Sequence, residues 1–296
     1  MKTTTELTVL SNDQIATGVF SMELQYPEDC VPQNVKPGQF VGVYLHDPAR
    51  LLPRPISICG WDEERGVLRL VYRVVGAGTG EMSSMKPGES VRVLGILGNG
   101  YDVDSLTGKK VLLMGGGIGA PPLLELAKQI RRKDPSAQIT AVLGYRTADL
   151  FLADEFRACA DVIIATDDGS AGFHGNVVDA VRSRDIAFDV ICACGPMPML
   201  RGVKALAQEQ SAGDAGASPA EGSTGAAFGE AGRADCPSGE NKGVQCWLSL
   251  EERMACGVGA CLGCVTKTKN IDDHSKVHNA RICTEGPVFN AEDVLI

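Results

Sequence analysis

The sequence predicts a multidomain protein of mixed class, with an N-terminal antiparallel β-barrel, a parallel-sheet α/β domain and a small C-terminal domain built around cysteines. Short β-prone runs predict the barrel, apolar strands alternating with helical segments predict the α/β domain, and four grouped cysteines mark the third unit. The length of 296 residues, with 44% hydrophobic and 22% charged side chains, suits a folded protein with more than one core.

Composition and charge argue against two classes of partner. The formal net charge is −9, and no cluster of Lys and Arg is available to displace counterions from nucleic acid. No apolar run approaches the roughly eighteen residues that a membrane span needs. The N-terminus also lacks a basic segment followed by an apolar stretch. We therefore expect a cytoplasmic protein that binds neither nucleic acid nor a membrane.

Residues 1–104 predict the barrel. They contain β-prone runs such as QFVGVYLHD, RPISICG, GVLRLVYRVV and ESVRVLG, separated by Gly, Pro and Asp. Short strands divided by turn residues are typical of closed antiparallel sheets.

Residues 105–207 predict the α/β domain. The runs KKVLLMGGG, AQITAVLGYR, DVIIATDD and FDVICACG predict buried strands, and APPLLELAKQIRRK predicts the helix after the first of them. Strands that alternate with helices favour a parallel sheet covered on both faces.

The composition changes after the last predicted helix of this domain. Between Ser211 and Glu230, fourteen of twenty residues are Gly, Ala or Ser. Such a segment buries too little side chain to offset its ordering entropy, so residues 208–242 are expected to form a flexible insert. The cysteine-rich domain is then predicted over residues 243–296.

Four cysteines in the C-terminal domain have the spacing of a metal site. Cys256, Cys261, Cys264 and Cys283 give C-x4-C-x2-C-x18-C, and the first three match the plant-type [2Fe-2S] loop. Interspersed glycines would let backbone N–H groups approach the sulfurs. A four-cysteine zinc site is the alternative, although zinc clips favour two short-spaced pairs. Disulfides are disfavoured in a chain of this size without a secretion signal, and the remaining cysteines are expected to be buried or inert thiols.

Two segments of the barrel carry side chains suited to an anionic flavin cofactor. In RPIS, Arg54 offers a planar cation for a pyrophosphate and Ser57 a hydroxyl for a ring edge. In VYRVVGAGTG, closely spaced glycines that include Gly78 lie beside Thr79 and would allow the backbone to approach phosphate. Either segment alone is also compatible with an ordinary strand and turn.

The α/β domain has two segments suited to a nucleotide. The turn GGGIG lies between a buried strand and a helix with two prolines in its first turn, so helix N–H groups can face a pyrophosphate. CGP follows a later strand, and ligands in such sheets lie at the carboxyl ends of strands. Cys194 in that segment could contact a nicotinamide or could equally be a buried strand residue. Asp167 and Asp168 also follow a strand end, and a carboxylate there would disfavour a 2′-phosphate.

Taken together and in this order, the motifs resemble the ferredoxin-NADP reductase superfamily. RPISI, VYRVVGAGT, GGGIGAPPL, CGPMPML and SLEERMACGVGACLGC more narrowly resemble the electron-transfer subunits of type B dihydroorotate dehydrogenase. The resemblance covers nearly the whole chain outside the insert. It implies an FAD-binding barrel, an NAD-binding α/β domain and a [2Fe-2S] cluster domain.

The resemblance also implies a role for each motif residue. One set would bind FAD: Arg54, Pro55, Ile56, Ser57, Val71, Tyr72, Arg73, Gly78 and Thr79. A second would receive NAD: Gly115, Gly116, Gly117, Gly119, Cys194, Gly195 and Pro196. The four cysteines of the C-terminal motif would bind the cluster. Ile56 stands where many reductases of the superfamily place an aromatic residue against the flavin.

By the same resemblance, the chain is an oxidoreductase subunit of pyrimidine biosynthesis. Electrons from dihydroorotate would reach FMN on a partner catalytic subunit, pass through the cluster to FAD, and leave on NAD⁺, in a heterotetramer of two copies of each subunit. The alternative is the small subunit of another NAD(P)H-linked reductase, such as a ferredoxin-dependent transhydrogenase or a sulfhydrogenase. The transhydrogenase relative has an Asp among its cluster ligands, whereas all four positions here are Cys. A third hypothesis is a non-catalytic binding protein stabilised by zinc.

Overall fold

The computed structural model describes residues 3–215, 243–272 and 276–296. Its N-terminal part is a closed antiparallel barrel of six strands, as predicted, with the strand order β1-β2-β5-β4-β3-β6. The strands and the short helix after β5 are β1 (Thr4–Ala16), β2 (Val19–Gln25), β3 (Phe40–Val43), β4 (Arg54–Asp62), β5 (Val67–Arg73), α1 (Ala77–Ser84) and β6 (Ser90–Leu97). Alternating apolar side chains such as Leu68 and Leu70 of β5 fill the barrel because successive strand residues point to opposite faces.

The second part is an α/β unit with helices packed against a seven-stranded sheet. Its elements are β7 (Val111–Gly116), α2 (Ala120–Lys133), β8 (Ile139–Tyr145), α3 (Ala153–Arg157), β9 (Asp161–Thr166), β10 (Phe173–His174), α4 (Val177–Arg182), β11 (Val190–Cys194), α5 (Met197–Ala215), β12 (Gln245–Ser249) and, at the C-terminal edge, β15 (Val288–Asn290). The sheet order is β10-β9-β8-β7-β11-β12-β15. All neighbours are parallel except β12 and β15. The predicted parallel sheet is thus confirmed.

The remaining regular elements are short. A hairpin of β13 (Val265–Lys267) and β14 (Asn279–Arg281) carries the end of the cysteine segment, and 3-10 turns cover Glu28–Cys30, Asp104–Leu106 and Gly117–Gly119. No helix among the described residues is long and apolar enough to cross a membrane.

Two features differ from the organisation predicted by composition. β12 and β15, which lie in the predicted cluster domain, belong to the large sheet, where β12 pairs with β11. Composition does not reveal this, because a five-residue apolar strand looks the same in either unit. In addition, α5 continues to Ala215, past the predicted start of the insert at residue 208, because the Ala, Gln and Glu residues there are good helix formers. The rest of that insert, residues 216–242, lies outside the described residues.

The barrel and the α/β unit share an apolar core and an ion-pair network. Cys59 of β4 and Val71 of β5 pack in the same cluster as Leu124 of α2. Glu155 accepts from Arg69 Nη1 at 2.7 Å and from Lys128 Nζ at 2.8 Å. These pairs are partly exposed and each contributes at most about 1 kcal/mol, so the apolar contact dominates. The interface brings the carboxyl edge of the sheet to one side of the barrel.

Candidate functional site

The largest cleft of the candidate site, about 1130 Å³, opens on the barrel side. It is walled by β4, β5 and α1, and by the segment that follows β12. Every residue predicted to bind FAD lines it: Arg54, Pro55, Ile56, Ser57, Val71, Tyr72, Arg73, Gly78 and Thr79. A cleft of this size can contain a dinucleotide, so the residues present fit the predicted cofactor.

Arg54 lies across the N-terminal part of α1. A Cβ added at Gly78 would overlap the Nε of Arg54, so only glycine permits this approach. The helix start is held by Thr79, whose Oγ1 accepts from Val75 N at 2.9 Å. The guanidinium and the first N–H groups of α1 therefore lie together at one end of the cleft, an arrangement that suits phosphate.

Tyr72 is one of the residues that line this cleft. Its hydroxyl donates to Asn12 Oδ1 at 2.9 Å, and burial raises the pKa of the phenol. Because the hydroxyl proton is already bound by Asn12, Tyr72 offers the cleft mainly its ring.

A second cleft of about 530 Å³ lies at the carboxyl edge of the parallel sheet. Of the residues predicted to receive NAD, Gly116, Gly117 and Pro196 line it. The other four, Gly115, Gly119, Cys194 and Gly195, are not among its lining residues. Gly119 instead packs against the end of β11, where an added Cβ would overlap the carbonyl group of Cys194.

Polar residues that were not predicted from the sequence complete the second cleft. Arg146, Asp149 and Asn176 follow strand ends or begin α4. Asp167 also lines the cleft, whereas Asp168 does not and its Oδ1 accepts from Ser170 N at 3.0 Å. The cleft thus presents a carboxylate near its strand-end wall, where it would disfavour a 2′-phosphate.

The two clefts meet at Arg73, Ile118 and Glu251, which line both. Sequence reasoning missed Glu251. It comes two residues after the parallel strand β12, and the carboxyl end of such a strand was the signal that could have indicated it.

The carboxyl of Glu251 contacts the predicted nicotinamide neighbour. Cys194 Sγ donates to Glu251 Oε1 at 3.8 Å. Surrounding protein atoms desolvate the carboxyl and raise its pKa, although the bond from Cys194 acts in the opposite direction. Glu251 as a whole residue is nevertheless solvent-exposed, and it lines both clefts.

The four predicted cluster cysteines lie in two pairs whose thiols are neighbours. Cys256 pairs with Cys261, and Cys264 pairs with Cys283. The N–H groups of Val258 and Cys261 point to Cys256 Sγ at 3.4 Å. Desolvation opposes ionisation of this thiol, but the N–H donors outweigh it and lower the pKa of Cys256 to about 6.

The second pair is buried, and the first reaches the surface. Cys264 and Cys283 are only 2% and 1% exposed, and burial raises the pKa of Cys283 to about 12. Cys261 is exposed. One side of the site therefore faces the protein and the other faces solvent.

The pairing fits two metal ions better than one. A zinc site would gather four thiolates about 2.3 Å from a single ion. Two thiolate pairs with N–H groups directed at sulfur match a binuclear iron-sulfur cluster, in which each iron takes two protein ligands.

The cysteine site adjoins the larger cleft. Met254 and Pro287 both line that cleft, and they lie two residues before Cys256 and four residues after Cys283. Both ends of the ligand set are therefore tied to the cleft wall.

The other cysteines have no such grouping. Cys59, Cys159, Cys192 and Cys246 are buried and free, as predicted for small apolar side chains, and Cys30 is exposed. Cys236 lies outside the described residues.

Comparisons with known proteins match the whole chain and its cysteine segment. The family model for the iron-sulfur cluster binding domain of dihydroorotate dehydrogenase B matches residues 251–295. The chain is 37% identical to the electron transfer subunit of dihydroorotate dehydrogenase B (NAD(+)) from Geobacillus sp. (strain WCH70), and 39% identical to that from Bacillus caldolyticus. In each case 98% of both chains is covered. A solved NADH-dependent reduced ferredoxin-NADP oxidoreductase has a TM-score of 0.74 and 29% identity, covering 98% of this chain and 89% of that one.

Proposed function

The chain belongs to the family of dihydroorotate dehydrogenase B electron transfer subunits, and on this premise we propose that it carries electrons from a catalytic partner subunit to NAD⁺. The partner oxidises dihydroorotate on its own FMN, and two copies of each subunit form the complex. The reaction supplies pyrimidine (UMP) biosynthesis.

The proposed path runs from the partner's FMN through a [2Fe-2S] cluster and FAD on this chain to NAD⁺. A cluster carries one electron at a time and NAD⁺ accepts a hydride, and the flavin converts between the two. Cys256, Cys261, Cys264 and Cys283 hold the cluster. The residues of the larger cleft hold FAD, with Arg54 at its phosphates, and the second cleft receives the dinucleotide.

The observation that carries the proposal is the order of the three sites. The cysteine pairs adjoin the larger cleft through Met254 and Pro287, and that cleft shares Arg73, Ile118 and Glu251 with the second. Centres that exchange electrons must lie close together, and these sites are contiguous.

The surface near Cys261 is the proposed docking face for the catalytic partner. Val258 and Leu262 are 39% and 52% exposed beside this exposed ligand. Leu262 also has a φ of 55°, a conformation that a branched residue rarely adopts. Exposed apolar side chains around a solvent-facing cluster ligand are suited to burial in an interface with a second protein.

A reductase of the transhydrogenase type is the second candidate, favoured by the likeness to the solved NADH-dependent oxidoreductase at 29% identity. The higher identity of 37–39% to dihydroorotate dehydrogenase B subunits and the all-cysteine ligand set favour the first function.

Purification of the chain with its native partner tests the proposal. We expect about two irons per copy of this chain, one FAD, and FMN on the partner. The complex should reduce NAD⁺ with dihydroorotate, and the isolated chain should oxidise NADH with artificial acceptors but should not oxidise dihydroorotate. A colourless chain that contains zinc, or a partner without dihydroorotate oxidation, would contradict the proposal.

A further inference from the structure

Asn99 joins the barrel to the segment that lies between the cysteine site and the larger cleft. It follows β6 by two residues, and its backbone N–H donates to Gly286 O at 2.7 Å. Its Nδ2 donates to Glu285 O at 2.9 Å and to Val288 O at 2.7 Å. Its Oδ1 accepts from Val288 N at 3.2 Å. Asn99 thus makes four hydrogen bonds, two to the turn residues Glu285 and Gly286 and two to Val288, the first residue of β15.

The segment held in this way connects two functional parts. Cys283 lies two residues before Glu285, and Pro287, between Gly286 and Val288, lines the larger cleft. Pro287 O in turn accepts from Leu250 N at 2.9 Å, and Leu250 is also a cleft residue. The covalent route from Cys283 to the cleft wall at Pro287 therefore passes through the turn that Asn99 holds.

The barrel also packs against the cysteine segment through apolar side chains of β6. Leu94 and Leu97 of β6 belong to the same apolar cluster as Cys264, Ile282 and Cys283. Apolar packing sets the general position of the turn but has little directional specificity, whereas four hydrogen bonds to defined carbonyl and N–H groups fix its register and distance.

We propose that Asn99 is a positioning residue that sets the separation between the cluster and the flavin. The inference rests on the proposed function, since it requires both cofactors on this chain. Electron transfer between two centres depends steeply on their separation, so a turn that shifts or fluctuates slows this step. The exchange of electrons between NADH and the flavin does not use the turn and is unaffected.

Asn99→Ala in the full chain, loaded with FAD and cluster, is the test. Asn99 is exposed, so the variant is expected to fold. Its free energy of unfolding should fall by about 1 kcal/mol for each side-chain hydrogen bond that is lost. Asn290→Ala is the matched control, because Asn290 Oδ1 accepts only within its own segment, from Glu292 N. Rapid mixing with NADH follows flavin reduction and then cluster reduction, and electron paramagnetic resonance records the reduced cluster.

We expect Asn99→Ala to leave flavin reduction within about twofold of the wild type and to slow cluster reduction about tenfold, as functional geometry is sensitive to displacements of about an ångström. The resonance spectrum and the two reduction potentials should not change, and Asn290→Ala should match the wild type throughout. Unchanged cluster reduction would overturn the inference. Equal slowing of both steps with a lowered melting temperature would also overturn it, because that pattern indicates a structural role alone.

Two further measurements test the proposal if Asn99→Ala does not fold. Asn99→Asp keeps the acceptor for Val288 N but loses both Nδ2 donors, so it should slow only cluster reduction. In the wild-type protein, hydrogen–deuterium exchange of the peptide over residues 284–290 should be slow. Rapid exchange there would contradict the proposal that Asn99 holds this turn in place. A wild-type protein whose flavin is reduced while its cluster is not would instead refute the proposed function.

Discussion

At the scale of single residues, the arrangement of the four cysteines distinguishes an iron-sulfur cluster from a zinc site. Spacing alone left zinc and iron-sulfur sites open, because both use four thiolates. The two pairs of neighbouring thiols, and the N–H groups that point to the sulfurs of the first pair, favour the binuclear site. This distinction depends on distances between side chains in the folded protein, and the spacing of cysteines along the sequence does not give these distances.

Cys283→Ala should remove the cluster. A three-thiolate site leaves one iron short of a ligand, so iron should fall from about two per chain to near zero, while FAD remains bound in its separate cleft. Iron analysis and the visible spectrum measure this outcome. Cys246→Ala is the control, since Cys246 is also buried but lies in β12 and is not a proposed ligand. Retention of both irons by Cys283→Ala would show that this residue is not a ligand.

Glu251 is expected to influence the exchange of a hydride with the nicotinamide. The ring gains positive charge as NADH is oxidised, and a carboxylate where the two clefts meet would stabilise that charge. Glu251→Gln should therefore slow flavin reduction by NADH about tenfold or more, with FAD content unchanged. Glu252→Gln, which changes a neighbour that lines only the larger cleft, is the control.

The pH dependence of that rate gives a second test of Glu251. Desolvation raises the pKa of this carboxyl, so it ionises at a higher pH than an ordinary glutamate. The wild-type rate should rise with pH through that raised pKa as the carboxylate forms, and the Glu251→Gln rate should lack this rise. Identical pH profiles for the two proteins would contradict a role for the charge.

At the scale of elements, the sequence predicted strands better than it predicted α1. The strand runs of the barrel and of the sheet lie where periodicity indicated, and α2 covers Ala120–Lys133 as predicted. The glycines of GAGTG were expected to let the backbone approach phosphate, and no helix was predicted there; they form the start of α1, where the hydroxyl of Thr79 accepts from Val75 N and Arg54 packs against Gly78. Glycine has a weak helix propensity, so tertiary contacts override the local pattern.

Gly78→Ala should weaken FAD binding. The added methyl group would displace the guanidinium of Arg54, and we expect the Kd for FAD to rise about tenfold, equivalent to about 1.4 kcal/mol. Titration of the apoprotein with FAD, followed by flavin fluorescence, measures this change.

Gly80→Ala provides a control in the same helix. No atom lies within 4 Å of a Cβ added at Gly80, so this variant should bind FAD like the wild type. Equal affinities for all three proteins would argue against a phosphate contact by Arg54.

At the scale of the whole molecule, the resemblance gave the order of the three sites, but the sequence did not show how they touch. Parts of the chain that are far apart in sequence meet at two places. One is the wall shared by the two clefts, formed by Arg73, Ile118 and Glu251. The other is the set of hydrogen bonds from Asn99, which reach up to 189 positions along the chain. Local patterns cannot reveal such contacts. The predicted boundary at residue 243 also proved to be crossed by the sheet, since β12 and β15 return to it.

Leu262→Glu should weaken the complex with the catalytic partner. A charge on the proposed docking face would have to be desolvated on binding, and we expect the Kd to rise about tenfold or more. Calorimetry with the purified partner measures the affinity. Leu10→Glu, on the barrel surface at 37% exposure, is the matched control. Unchanged affinity for Leu262→Glu would place the partner elsewhere.

In the proposed path, electrons from the partner reach the FAD of this chain only through the chain's own cluster. The most direct test adds dihydroorotate, without NAD⁺ and without oxygen, to the reconstituted complex and follows flavin absorbance near about 450 nm. With the wild-type chain, both the partner's FMN and the FAD should become reduced. With Cys283→Ala, only one flavin equivalent, the FMN, should be bleached. Reduction of both flavins at the wild-type rate in the variant would show that electrons reach the FAD without the cluster.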